Sequence, residues 1–228
     1  MKPTSPSGFF ITFEGTEGAG KSTLMRAISA ALAARGVAHT QTREPGGTGL
    51  AEKIRALILA GTPEDAMAPT TELFLYEAAR SEHLARTITP ALARGEVVLC
   101  DRFTDSTLAY QAHARGLPWK EVVIANRIAT SGLKPNLTVW LDIDPAQGLS
   151  RAQDPNRFEA EGLAFQKRVR AGFARAMKAD ARRWLKLPAR GKTPEYLAER
   201  VLAELDKRWK KRATKKRGTK KPEGKSRG

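Results

Sequence analysis

The chain has 228 residues, 41% of them hydrophobic, a single cysteine and a formal net charge of +16. That length suits one α/β domain with a real core, and the lone Cys100 excludes an internal disulfide and cannot by itself make a metal site. The N-terminus lacks a signal peptide's apolar segment and no run nears the ~20 apolar residues of a membrane helix, so the chain reads as soluble, not exported and cytoplasmic.

In chain order, residues 1–8 (MKPTSPSG) read as a flexible N-terminus. The apolar run Phe9 to Phe13 predicts a first strand, and a helical pattern over Leu24, Ile28, Ala31 and Leu32 follows until Gly36. Between them lies Gly15-Thr16-Glu17-Gly18-Ala19-Gly20-Lys21-Ser22-Thr23, which fits G-x-x-x-x-G-K-[ST] at Gly15, Gly20, Lys21 and Ser22. Glycines let such a backbone turn tightly and aim N–H groups inward, so phosphates can sit at the positive end of the next helix. Lys21 would reach the outer phosphates and the Ser22 hydroxyl would ligate Mg²⁺. The bland alternative is a Gly-rich turn with a surface lysine. A complete match set between a strand and a helix argues against it.

Val37 to Thr42 predicts a second strand, ending in the turn Arg43-Glu44-Pro45-Gly46-Gly47-Thr48. A helix over Leu50, Ile54, Leu57 and Ile58 ends at Gly61. Thr70 to Leu92 is a long helical region with Leu73, Tyr76, Leu84 and Ile88 on its apolar stripe, kinked or restarted at Pro90. Glu96 to Asp101 predicts a third strand, buried on both faces and carrying Cys100 as a core thiol, with Asp101-Arg102 at its end. Asp105 to Ala114 and Trp119 to Ser131 predict two helices closed by Gly116 and Gly132. Leu137 to Ile143 is a fourth strand and Trp184 to Leu187 a weak fifth. Between these lie the polar segment Arg151 to Arg157 and a helix carrying Leu163, Val169, Phe173 and Met177. Thr193-Pro194-Glu195 starts a last helix that buries Leu197, Val201, Leu202 and Leu205.

The alternation of strands and helices predicts βαβ units and a mostly parallel sheet with helices on both faces. Residues 9–206 form the expected domain. From Lys207 to Gly228, twelve Lys/Arg face one acid, Glu223, a net +11 that leaves only +5 on the rest of the chain. Beyond Trp209 this tail has little to bury, so its distal part is expected to be disordered. It either contacts nucleic acid or acidic surfaces through phosphates or is a solvated extension, and truncation after Leu205 is expected to leave the main activity intact.

Arg43, Arg55, Arg80 and Arg102 fall near strand ends or on helices that could line one crevice. Arginine's fixed fork suits a second phosphorylated substrate. The loop GTEGAGKST, the segment Arg43 to Thr48, Tyr76-Glu77-Ala78-Ala79-Arg80, and Asp101-Arg102-Phe103 followed by Ser106-Thr107-Leu108-Ala109-Tyr110-Gln111 resemble the thymidylate kinase family, in order and spacing. The resemblance runs from about Phe9 to Leu205. It implies a P-loop NTPase three-layer fold with about five parallel strands and a short lid near residues 149–160, a homodimer, and transfer of phosphate from ATP to dTMP.

Position by position, the resemblance gives Lys21 and the loop Gly15 to Thr23 the ATP phosphates. Ser22 and Asp101 would hold Mg²⁺, directly or through water. Arg43, Arg80 and Arg102, with Arg55, match positions around the dTMP phosphate. Tyr76 stands where a Phe usually stacks on thymine, Thr107 and Gln111 match groups that read the base, and Tyr110 matches the ring crowding the ribose 2′ position. Glu17 matches an acid beside the substrate sugar. Because the loop lacks arginine, a catalytic arginine is expected from the lid, with Arg151 and Arg157 as candidates. A kinase for another nucleoside monophosphate, or an ATP-dependent nucleic-acid-binding protein suggested by the tail, are the competing readings. The absence of an Asn-Lys-x-Asp stretch argues against a guanine-nucleotide switch.

Overall fold

Every residue of Phe9–Glu14 (β1) is buried, because this strand is the middle of the sheet and is covered on both faces. The computed structural model describes residues 8–60, 67–151 and 161–218. Five parallel strands run in the order β2-β3-β1-β4-β5, with β2 at His39–Arg43, β3 at Val97–Asp101, β4 at Leu137–Asp142 and β5 at Trp184–Pro188. β1 pairs with β3 on one side and β4 on the other, so the strand order reverses beside it. A crevice at the carboxyl ends of an open α/β sheet opens at such a reversal.

Residues alternate across β1. Phe9, Ile11 and Phe13 join one core with α1 (Lys21–Ala34) and the C-terminal helix, together with Leu99, Val139 and Leu141. Phe10 turns the other way, onto Leu84, Ile88, Leu92, Val98, Cys100 and Phe103. A further cluster under β4 and β5 packs Trp140 and Trp184 against Phe165, Val169 and Phe173. The same alternation sends Thr12 and Glu14 to a side where apolar packing gives way to polar bonding, as Thr12 meets Thr138 through their hydroxyls at 3.2 Å.

Helix α2 (Gly49–Leu59) is capped by the Thr48 hydroxyl, which accepts from Ala51 N at 3.1 Å. α3 (Pro69–His83) continues through π-helical turns at Leu84–Ile88 into α4 (Thr89–Ala93). The α-helix thus restarts at Thr89, with Pro90 in the first turn of α4 as expected. The wider turns before it absorb the missing N–H, because a proline in a helix interior lacks that donor and crowds the preceding turn. The predicted Asp105 to Ala114 helix is likewise a short α5 (Thr104–Thr107) that widens into π-helical turns over Leu108–Ala114. α6 (Trp119–Ala129) and α7 (Pro145–Leu149) follow, then α8 (Gly162–Ala179) and α9 (Pro194–Gly218).

Some apolar positions face solvent instead of the core. Leu50 and Leu57 on α2 are exposed while Ala51 and Ile58 are buried, and Leu163 on α8 is exposed while Phe165, Val169, Phe173 and Ala176 form its core face. The domain edge expected at Lys207 lies inside α9, which runs on to Gly218. Trp209 stacks on Phe9 with ring centroids 5.9 Å apart, and Arg208 Nη1 donates to Asn136 O at 3.0 Å. The indole and the guanidinium thus bind the start of the expected tail to the body. Arg157, most of the expected lid and the distal tail lie outside the described residues.

Candidate active site

The turn from β1 into α1 depends on backbone that only glycine enters freely. Gly18 has φ +67, and a Cβ there would stand 2.1 Å from the carbonyl oxygen of Gly148, so any side chain would drive backbone into backbone. Gly20 caps α1 in a left-handed conformation, with no side chain bonded to the first-turn amides and no acid in that turn. The N–H groups at this helix end are therefore available to an anion, as the helix dipole favours.

Lys21, the first residue of α1, is buried and folds back over the loop, donating to Thr16 O at 3.1 Å and Gly15 O at 3.3 Å. Burial lowers its pKa, and the neighbouring Arg102 charge adds to this against Glu17, Asp101 and Glu14. Ser22 and Asp101 border the same cleft, and Asp101 Oδ1 is buried without a hydrogen-bond partner. Parallel pairing aligns Arg43, Asp101 and Phe13 across β2, β3 and β1, bringing those strand ends to the loop. Arg55 and Arg151 line this cleft as well.

A second cavity adjoins the first. Glu17, Tyr76, Arg80, Arg102, Thr107, Tyr110 and Gln111 all line it, so seven of the nine residues matched to an acceptor nucleotide share one space. Arg43 and Arg55 stand outside it, on the phosphate-loop cleft. Arg43 is held by both oxygens of Glu52, and Arg55 Nη1 donates to Pro45 O at 3.0 Å. Glu17 and Arg102 belong to both walls and pair with each other. Burial opposes ionisation of Glu17, but the Arg102 and Lys21 charges together outweigh it and hold its pKa below the usual carboxylate value.

Arg80 and Gln111 are individually braced. Arg80 Nε donates to Glu44 at 2.8 Å, while its Nη1 donates to Glu77 at 3.0 Å and to Asn126 Oδ1 at 2.8 Å. Its guanidinium also lies over the Phe103 ring. Gln111 Nε2 donates to Glu72 at 2.7 Å, and Thr107 Oγ1 is buried with no hydrogen-bond partner. Arg102 covers the Tyr110 ring at 5.1 Å, and burial pushes the Tyr110 phenol upward in pKa. The Arg102 guanidinium stays charged, since nearby acids, Glu17 foremost, outweigh the effect of its burial.

Several contributors had no role assigned from sequence. Glu44 and Glu77 sit inside stretches that carry the resemblance, Glu14 directly precedes the loop and Ser106 opens the Ser106 to Gln111 stretch. Each was visible as a residue type, but only the fold shows what it holds. Asn126 on α6 and Glu72, one turn before Tyr76 on α3, lie outside those stretches.

The family model described as thymidylate kinase matches residues 13–201. The chain belongs to the thymidylate kinase family. A thymidylate kinase of Synechococcus sp. (strain JA-2-3B'a(2-13)) is 46% identical over 199 residues, covering 87% of this chain and 95% of that protein. One from Pseudomonas savastanoi pv. phaseolicola is 51% identical over 181 residues, covering 78% of this chain and 86% of its own. The crystal structure of thymidylate kinase from Ehrlichia chaffeensis superposes with a TM-score of 0.70 at 30% identity, covering 86% of this chain and 99% of that one. The five-stranded parallel sheet is thus the family's P-loop NTPase fold.

Proposed function

We propose that the protein transfers the γ-phosphoryl group of ATP to dTMP, giving dTDP and ADP in dTTP synthesis. The observation that carries this reading is the pair of adjoining cavities, one walled by the phosphate loop and one by Tyr76, Thr107, Tyr110 and Gln111, with Arg102 and Glu17 common to both. ATP phosphates take the amides of Gly15 to Thr23 and Lys21. The thymine ring stacks on Tyr76, its polar edge meets Thr107 and Gln111, and Tyr110 closes the 2′ side of the sugar. A base of the wrong pattern leaves these buried polar groups unpaired, which is how such a site selects.

The acceptor oxygen of a monophosphate is already largely ionised near neutral pH, so no strong general base is needed. Lys21 and Arg102 offset repulsion between the two phosphate groups and stabilise the transferring phosphoryl. Arg151, Arg43 and Arg55 add positive charge to the phosphate-loop cleft that they line. The oxygen donors Ser22 and Asp101, with the unpartnered Asp101 Oδ1, suit Mg²⁺, which takes few protein ligands and completes its shell with water and phosphate. When bound, Mg²⁺ neutralises phosphate charge. Among the described residues there is no cluster of three or more His, Cys, Asp or Glu that would suit a metal needing an all-protein cage.

The same reading makes the protein a cytoplasmic homodimer. No described helix is long and apolar enough to cross a membrane. Packed neighbours α2, α3 and α6 leave Leu57, Phe74, Ile124 and Ile128 exposed, the last by 74%, and a second copy would cover this face. ADP release measured with ATP and Mg²⁺, in the presence and absence of dTMP, tests the proposed reaction.

A further inference from the structure

Glu14 ends β1 with its side chain fully buried on the acceptor side of the sheet, and it lines neither cavity. A carboxyl group there must be hydrogen-bonded, and both of its oxygens are. Oε1 accepts from Phe103 N at 2.9 Å, and Oε2 is bonded to Ser106 Oγ at 2.6 Å. These partners bracket the turn that immediately follows Arg102. Ser106 N donates to Phe103 O at 3.0 Å, so the turn is closed on itself and gripped from below by one side chain.

That turn carries strain. Arg102 has φ +66, a left-handed conformation that a residue with a Cβ disfavours. Such a conformation persists only where surrounding bonds over-determine it. Arg102 N donates to Phe13 O at 2.9 Å, and Arg102 Nη1 donates to Ser106 Oγ at 3.2 Å as well as to Gly15 O at 3.1 Å. The Ser106 hydroxyl therefore links the buried carboxyl to the guanidinium that faces both cavities. Thr107, Tyr110 and Gln111 follow on the same run of chain.

We propose that Glu14 is a positioning residue for phosphoryl transfer: by holding Phe103 N and Ser106 Oγ it fixes the left-handed turn that aims Arg102 between the phosphate loop and the acceptor cavity. This rests on the kinase reading above. Without the carboxyl group, Phe103 N–H is left buried and unbonded, Ser106 loses its second partner and the backbone at Arg102 is free to relax. A misplacement of this size acts on turnover, because charge must meet the transferring group where it develops.

The test compares kcat and KM for each substrate in wild type, Glu14→Ala, Glu14→Asp and Glu14→Gln, with melting temperatures recorded in parallel. Glu14→Ala is expected to lower kcat by about tenfold to hundredfold and to raise KM for dTMP, with KM for ATP unchanged. Glu14→Asp keeps the carboxyl group but withdraws it by one methylene, so it shares the loss and serves if the alanine variant does not fold. Glu14→Gln can accept from Phe103 N and donate to Ser106 Oγ, so it recovers most of the rate. Variants that melt lower yet keep wild-type kcat would overturn the proposal and leave the kinase reading intact. A folded wild type that is inert toward dTMP would overturn both.

Discussion

Lys21 Nζ and Arg102 Nη1 converge on a single acceptor, the carbonyl oxygen of Gly15, at 3.3 and 3.1 Å. One cation comes from the first turn of α1 and the other from the end of β3, so the central strand pair brings them together at the loop between β1 and α1. Two buried cations this close repel, and Arg102 is one of the causes that lower the Lys21 pKa, after burial itself. Phosphate between them would relieve that repulsion, as the proposed transfer between the two cavities requires.

Lys21→Ala and Arg102→Ala are each expected to lower kcat by about a hundredfold or more while circular dichroism and melting remain close to wild type. Arg102→Lys keeps the charge but loses the planar fork that spans Gly15, Glu17 and Ser106, so it should recover little of the loss. Near-wild-type steady-state rates in both alanine variants would remove these residues from the chemistry.

In the proposed site, base reading is separable from donor binding. Thr107→Val keeps shape but deletes the buried Oγ1, and it should cost about 1–3 kcal/mol in kcat/KM for dTMP with KM for ATP unchanged. Glu72→Ala should weaken discrimination between dTMP and dCMP, because it releases the Gln111 amide that Glu72 holds at 2.7 Å. Competition kinetics with the two monophosphates measures both.

How far the sequence reached is seen in these same residues. The strand and helix order was legible because buried parallel strands are unbroken apolar runs and helices repeat every three to four residues, and Gly15 to Thr23 was legible because its spacing carries its own chemistry. The fold's braces between elements were not. Glu77 reaches Arg80 at i,i+3 along α3, a spacing the sequence does show, but Glu44 and Asn126 come from two other elements, and no local spacing signals a bond that only tertiary packing creates. Apolar periodicity also could not tell Leu57, exposed on α2, from the adjacent buried Ile58. Pro90 shows the converse, since the proline was plain but its residue type alone does not say that the turns preceding it widen.

Glu14 should make stability depend on pH with an unusual sign. Burial, with Asp105 nearby, raises its pKa from 4.5 to about 8. Between those values the folded chain holds a proton that the unfolded chain has released, so this group's contribution to stability falls as pH rises. Glu14→Gln cannot titrate. Its melting temperature relative to wild type should therefore increase from pH 5 to pH 8.5, as read by scanning calorimetry, and a constant difference across that range would contradict the assignment.

The start of α9's basic extension is structural. Truncation after Leu205 removes the Trp209–Phe9 stack and the Arg208 bond to Asn136, and Asn136 Oδ1 in turn accepts from Phe10 N of the central strand at 2.8 Å. This truncation should lower the melting temperature by roughly 5 °C while turnover at low temperature survives. Truncation after Lys211 spares both contacts and should leave melting unchanged. Equal melting of the two truncated proteins would show that these contacts contribute nothing.

The most direct measurement is kcat/KM for ADP release with ATP and Mg²⁺ across dTMP, dUMP, dCMP and dGMP, with single-stranded DNA as a further addition. Turnover that requires dTMP, falls by at least about tenfold with dCMP and dGMP, and is not stimulated by DNA is the expected result. Hydrolysis that proceeds without any monophosphate and accelerates with DNA, or a clear preference for dCMP or dGMP, would contradict dTMP phosphorylation as the function of this site.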